Sequence, residues 1–485
     1  MEVFFATYWP HIFFVITLIV GVIAAIHAAM TKDDVRAAIG WVGVVMLSPL
    51  LGAFIYAIVG VNRFRHRTTS RKHAETGIHR GMTPVRSVDA ALLAGNQFAS
   101  LKKLVDTVSV FPLTPGNDIT PLNGGDETYP AMIEAINMAT KTIGLQSYIF
   151  DNDPVGIKIV EALAAARERG VEVRVLVDDI GAQYSRPPIT RLLQAKGITN
   201  ARFNDGIFGF RMPYANLRSH RKVMVIDGII GLTGGMNIRA GFTTVFAGPN
   251  ALQDKHFRIS GPTVAQLLAC FMHDWQVTTG EELPEELWFA APETIEARAD
   301  SGRGIPARVV PSGPDQNLAK THSVIMGAIT VAQRRICICS PYFLPDQQLI
   351  GVLSVAARRG IIVDIVIPSA NNLKLVDYAM TSQLDQVIRT GCRVWRSSGS
   401  FDHSKLMVVD GAWSYIGSSN IDPRSLRLNF ELDMEIYDRE TGRAIEQLID
   451  QHITTARPET LLTLAARPFM ERLRNRTIWL ASPYL

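Results

Sequence analysis

The chain opens with two long apolar runs, "HIFFVITLIVGVIAAIHAAM" (11–30) and "AAIGWVGVVMLSPLLGAFIYAIVG" (37–60), which carry no acidic or basic side chain other than histidine. Each reaches the ~20 residues a helix needs to cross a bilayer, so the pattern predicts a two-helix transmembrane hairpin over 1–62. The connecting "TKDDVR" balances two positive against two negative side chains, whereas "VNRFRHRTTSRK" after the second run carries Arg63, Arg65, Arg67, Arg71 and Lys72 and no acid. That asymmetry predicts a multi-pass anchor with the rest of the chain on the cytoplasmic side. A cleaved signal peptide is the competing reading, but a basic n-region is missing and a second run follows. A buried helical pair in a soluble core would not need two uncharged runs back to back. Pro49, inside the second run, is tolerated where neighbouring groups re-satisfy the backbone.

From 63 to 107 the pattern turns polar, basic and weakly periodic, which suits a juxtamembrane linker along an anionic lipid surface as well as a topology signal. Strand and helix then alternate. "TIGLQSYIF" (142–150) reads as a strand, "PVGIKIVEALAAARERG" (154–170) as an amphipathic helix closing at Gly170, and "VEVRVLVDD" (171–179) as the next strand. The same grammar recurs in "RRICICSPYF" (334–343), "DQQLIGVLSVAARRG" (346–360) and "IIVDIVIPS" (361–369). The repeat is too long for a solenoid and predicts two α/β domains, 108–290 and 308–485, joined by the small-residue stretch 291–307.

Composition narrows this picture only a little. With 485 residues and 47% hydrophobic content there is material for two domains and an anchor, and a net charge of +4 excludes a protein that wraps nucleic acid by overall charge. Cys270, Cys337, Cys339 and Cys392 are scattered in apolar surroundings and read as reduced core thiols. Cys337 and Cys339 share one strand face, without the second Cys/His pair a metal site requires.

The chemistry lies in a motif that occurs twice. "SHRKVMVIDG" (219–228) supplies His220, Lys222 and Asp227, followed by Gly234, Gly235 and Asn237; "DHSKLMVVDG" (402–411) supplies His403, Lys405 and Asp410, followed by Gly417, Ser418 and Asn420. The internal spacings are identical. "DG" between apolar alternations predicts a hairpin, and the returning strand brings Ser418 opposite Lys405, Asn420 opposite His403 and Asn237 opposite His220, to within one residue of register. Imidazole, ammonium and amide donors converging twice suit an anionic phosphodiester, whose non-bridging oxygens they hold as charge builds, with no metal or other cofactor. One histidine attacks phosphorus while the other protonates the leaving alkoxide, so the two copies make one site. Asp227 and Asp410 fit two roles equally, turn former or electrostatic participant. Asp254 in "LQDKHFRISG" and Glu431 in "NFELDMEIYD" are candidate carboxylate partners that fix each imidazole's tautomer. Trp275, Tyr148 and Tyr342 read as core or pocket-wall aromatics.

These paired motifs resemble the phospholipase D superfamily. The likeness to bacterial cardiolipin synthases extends over almost the whole chain through "FPLTPGNDITPLNGGDETYPAMIEAI", "SYIFDND", "GVEVRVLVDDIG", "NLRSHRKVMVIDG", "FMHDWQVTTGEEL", "SPYFLPD" and "GSSNIDPRSLRLNFELDMEI". The resemblance implies two pseudo-symmetric phospholipase D-like domains, each a mostly parallel sheet flanked by helices, with the site on their shared axis. It further implies a bacterial inner-membrane enzyme that transfers a phosphatidyl group from one phosphatidylglycerol to another through a phosphohistidine, with His220 as nucleophile and His403 as acid and then base. Two departures stand out. Gly235 replaces the serine of the second copy, and "FAGPNALQDKHF" lacks the tryptophan and arginine that commonly precede this position in cardiolipin synthases, which bears on acceptor specificity.

Two other functions use the same residues. A membrane-anchored phospholipase D or phosphodiesterase would let water attack the same intermediate. A nucleic-acid substrate is not expected, since the basic run hugs the membrane end. A non-enzymatic membrane scaffold would have no need of intact His, Lys and Asn in both copies.

Overall fold

The computed structural model describes residues 2–32, 35–60, 94–204, 217–291, 304–314 and 319–482, and the chain divides into two compact units, 1–71 and 72–485. In the first unit one helix runs Glu2–Thr31, of which Tyr8–Thr31 is long and apolar enough to cross a membrane. Its large apolar side chains point outward, Phe14 at 66% and Ile23 at 62% exposure, as lipid-facing residues would. The second apolar run is not one helix. It breaks into Val35–Leu47 and Pro49–Ile55, with a π-helical turn over Tyr56–Gly60. Proline lacks the N–H and clashes with the preceding turn. Ser48 accordingly leaves helical geometry (φ −145°, ψ 81°).

The second unit is built on a single sheet. Its first half contributes β1 (Thr114–Asn123), β2 (Thr142–Ser147), β3 (Glu172–Asp178), β4 (Thr199–Phe203), β5 (Arg218–Ser219), β6 (Val223–Ile226), β7 (Ile230–Gly234) and β8 (Lys255–Ser260). The second half contributes β9 (Ile305–Ser312), β10 (Arg335–Cys339), β11 (Ile362–Pro368), β12 (Arg393–Ser397), β13 (Leu406–Val409), β14 (Trp413–Gly417), β15 (Asn429–Tyr437) and β16 (Arg457–Glu459). The order is β16-β12-β11-β10-β13-β14-β15-β9-β1-β8-β7-β6-β2-β3-β4, with β5 beside β15. Read outward from the β9–β1 pair, the two halves repeat one topology, so a pseudo-twofold axis passes between those strands.

The sheet is mixed rather than mostly parallel. Among the named strands of the described residues, parallel pairing is confined to β2-β3-β4, β10-β11-β12 and the short β5 against β15. Parallel neighbours need a crossover, which the helices Pro154–Glu168 and Gln347–Arg358 supply, whereas the Asp-Gly hairpins impose antiparallel pairs. Both crossover helices begin at an aspartate cap: Asp153 accepts from Val155 and Gly156 N–H, and Asp346 from Leu349 N–H.

Two expected boundaries shift. Residues 98–108 form a helix whose Phe98, Leu101 and Val105 are buried in a core with Val324, Ile325 and Ile329 of the second half, so this part of the expected surface linker belongs to the folded unit. Strand β9 begins at Ile305, inside the expected linker 291–307; residues 292–303 and 63–93 lie outside the described residues. A second core joins the halves directly, packing Phe257, Ile259 and Leu267 with Val309, Leu432 and Met434. The four cysteines are buried and unbridged.

Candidate active site

Both histidines stand at a seam between the halves. His220 follows β5, which pairs in parallel with the start of β15, and its N–H donates to Phe430 O at 2.8 Å. His403 follows Asp402, which bridges to Gln253, and its N–H donates to Gln253 O at 2.7 Å. Each histidine segment is thus strapped to the opposite half. Both imidazoles line one cavity of about 190 Å³ together with Asn237, Asn420, Tyr148 and Tyr342.

The carboxylates are exchanged across the axis. His220 Nδ1 lies 2.8 Å from Glu431 Oε2, and His403 Nδ1 lies 2.8 Å from Asp254 Oδ2. Sequence order places each acid after its own half's motif, and the fold pairs it with the other's histidine. A proton on Nδ1 shared with the carboxylate leaves Nε2 as the nitrogen available to the cavity. Tyr148 packs edge-on against His220 and Tyr342 against His403, with ring centroids 5.3 and 6.2 Å apart.

Burial pushes both imidazoles toward the neutral form, His403 down to about 4 and His220 well below the usual histidine range, and the lysine charges push the same way. Lys222 donates to His220 O at 2.7 Å, and Lys405 likewise donates to His403 O while lying 2.8 Å from His403 Nδ1. Burial lowers both ammonium groups, Lys222 to about 7, although Glu431 and Asp254 oppose it. The two carboxyls respond in opposite directions. Burial lifts Glu431 to about 7 against the pull of Lys222, whereas at Asp254 the Lys405 charge and the His403 hydrogen bond outweigh burial and hold the carboxylate ionised.

The remaining motif residues divide by position. Asn237 accepts from Ile149 N–H at 3.1 Å, and Asn420 donates to Ser425 Oγ at 3.2 Å, leaving its Oδ1 without a partner among the described residues. Ser418 is not a donor to the cavity: its hydroxyl donates to Glu431 Oε2 at 2.6 Å and accepts from Leu432 N–H. Gly235 is its counterpart, where a Cβ would stand 2.5 Å from Asp254 Oδ1, so the departure in the first copy makes room for the carboxylate.

Asp227 and Asp410 do not reach the site. They sit at the far ends of β6 and β13, in three-residue hairpin loops, with left-handed φ of 51° and 55°. The three-residue loops move the ladder one place from the expected register, pairing Val223 with Thr233 and Leu406 with Ile416. Asp227 accepts from the N–H groups of Thr140, Lys141 and Thr142, and Asp410 from those of Gln333, Arg334 and Arg335. They pin the start of β2 and β10, which is the turn-forming role.

Supporting residues had no motif to announce them. Arg221 pairs with Asp274 at 2.7 Å and donates to Glu431 O, and Gln146 joins Ser219 to Asp274, both at 2.8 Å. The one available signal was Arg221 between the motif's His220 and Lys222, directly ahead of the apolar run Val223–Ile226.

Fold and site together define a phospholipase D-like class with two histidine-lysine motifs in one chain. Comparison with known proteins narrows this. The family described as "Cardiolipin synthase, PLD-like domain" matches residues 132–275 and 325–453. Cardiolipin synthase A of Pseudomonas putida (strain GB-1) is 30% identical over 472 residues, covering 96% of each chain. Cardiolipin synthase of Alkalihalophilus pseudofirmus is 29% identical over 452 residues, 92% of this chain and 88% of the relative. Among solved structures, phosphatidylserine synthase of Haemophilus influenzae Rd KW20 shares the fold with a TM-score of 0.62 at 17% identity, over 80% of this chain and 100% of that one. The chain belongs to the cardiolipin synthase family with phospholipase D-like domains, a family of phosphatidyltransferases.

Proposed function

We propose that the protein makes cardiolipin from two molecules of phosphatidylglycerol, in two steps through a phosphohistidine on His220. In the first step Nε2 of His220 bonds to phosphorus as the bond to glycerol breaks, and His403 gives its proton to the departing alkoxide. In the second the hydroxyl of another phosphatidylglycerol attacks, His403 takes its proton, and the phosphorus–nitrogen bond breaks. The observation that carries this reading is the exchanged pair of carboxylates, which directs two imidazoles into one cavity from opposite halves. A depressed pKa keeps His220 neutral and nucleophilic near pH 7. An anionic phosphate in the cavity raises the proton affinity of His403, which equips it as the acid once substrate is bound. Lys222 and Lys405 neutralise the phosphoryl oxygens as charge grows.

The apolar helix, the second apolar run and Arg63, Arg65, Arg67, Arg71 and Lys72 support a multi-pass anchor with the catalytic unit on the cytoplasmic side. The test is a lipid assay of the full-length protein in phosphatidylglycerol vesicles. Cardiolipin and glycerol should appear in equal amounts, and His220→Ala and His403→Ala should each abolish both. Phosphatidic acid without cardiolipin would replace transfer by hydrolysis.

A further inference from the structure

The two ends of the cavity differ chemically. Counting from the paired histidines, Arg218 of the first half corresponds to Phe401 of the second, and Gly241 corresponds to Arg424. Arg218, Phe401 and Arg424 all line the cavity. Arg218, Arg424 and the Asp178 carboxylate all lie within electrostatic reach of the Tyr148 hydroxyl, and the Tyr148 ring lies edge-on to His220, so both cavity-lining guanidiniums belong to that side. Around His403 the wall is aromatic, formed by Phe401 and Tyr342.

Arg424 is the informative member. It is half-buried on the short helix Pro423–Arg427, and its charge acts on the buried Asp422 carboxylate, which lines the same cavity. The adjacent Asp422 carboxylate caps that helix by accepting from Ser425 N–H at 2.7 Å. By contrast Arg239, also in the cavity wall, is neutralised by Asp151 at 3.0 Å. A half-buried guanidinium facing a substrate cavity is suited to bidentate binding of a phosphate.

In the two-step transfer proposed above, Lys222 and Lys405 serve as the cations of the reacting phosphate. A second anion site has a use only if a second phosphate enters, and joining two phosphatidylglycerols through one glycerol requires that, whereas water or an uncharged alcohol does not. We infer that Arg424 holds the phosphate of the acceptor phosphatidylglycerol and thereby selects a phosphorylated acceptor over an uncharged one. This rests on the two-step transfer proposed above. In the second step the acceptor's primary hydroxyl oxygen bonds to phosphorus, the bond to His220 breaks and the hydroxyl proton passes to His403. The acceptor's own phosphate stays unreacted against Arg424.

The experiment compares two reactions of the full-length protein in phosphatidylglycerol vesicles containing labelled glycerol. Exchange of label into phosphatidylglycerol reports the first step and its reversal; cardiolipin reports the second step with a phosphorylated acceptor. Arg424→Gln should lower the ratio of cardiolipin formed to label exchanged by tenfold or more, and Arg424→Lys should recover part of that loss. An unchanged ratio, whether both reactions hold or both fall together, would overturn the assignment. Wild type that makes cardiolipin without exchanging glycerol would overturn the two-step reading itself.

Discussion

At the scale of single residues, the site turns on two carboxyls in equivalent strand positions with opposite electrostatics. Glu431 is raised to about 7 from an ordinary 4.5, so the folded state holds its proton more tightly than the unfolded state. Its stabilising contribution is greatest below pH 4.5 and is lost as pH rises through 7. Asp254 is lowered from 3.8, so its contribution is present above that value and is lost as pH falls through the lower folded value. Denaturant melts across pH should therefore separate two variants. Glu431→Gln gains stability relative to wild type as pH rises from 4.5 to 7, whereas Asp254→Asn is the less stable protein at pH 7 and converges on wild type in acid. Both should lose cardiolipin synthesis by up to about 10⁴-fold, the worth of a carboxylate that holds a catalytic imidazole in its reactive tautomer. Melts that shift the two variants alike would contradict the electrostatic distinction. Sequence made both carboxyls visible as candidates, but not their exchange, because the partners are 211 and 149 residues apart and only the strap across the axis brings them together.

At the scale of elements, the hairpins explain why an aspartate outside the site belongs to the motif. The Asp-Gly signal correctly marked both turns, and the alternation correctly marked the flanking strands. What it left open was loop length, which depends on the left-handed φ of Asp227 and Asp410 and on the three N–H groups each carboxylate collects. The helix Phe98–Val108 was legible in principle from Phe98, Leu101 and Val105 at helical spacing, but its short length and basic neighbours masked it. Asp410→Ala leaves the three backbone donors of Gln333–Arg335 without their acceptor, at a cost of about 1–3 kcal/mol. Asp410→Asn keeps a residue that accepts left-handed geometry and should cost less. Thermal unfolding should rank wild type, Asn and Ala in that order. The folded fraction of Asp410→Ala should still form cardiolipin; its complete loss at temperatures where the protein is folded would return this residue to the chemistry.

At the scale of the whole molecule, duplication was legible and its consequence was not. The repeated motifs indicated two similar domains, and the resemblance placed one site on their axis. Yet the halves are less independent than two domains on a linker. β9 is paired on one side with β15 of its own half and on the other with β1 of the first, and a core containing Phe257, Leu267, Val309 and Leu432 spans the junction. Neither half carries a complete histidine–carboxylate pair, since each lends its carboxylate to the other's histidine. The sheet and the shared core, rather than the connecting segment, should therefore hold the site together. A specific protease site placed between residues 292 and 303 tests this in the full-length protein. After complete cutting the two fragments should remain associated in native gel filtration and keep cardiolipin synthesis within a few-fold of the uncut enzyme. Fragments separated in denaturant and refolded singly should be inactive, and refolding them together should restore activity. If one fragment worked alone, its histidine would be acting without the exchanged carboxylate, and the paired site would not be the catalytic unit.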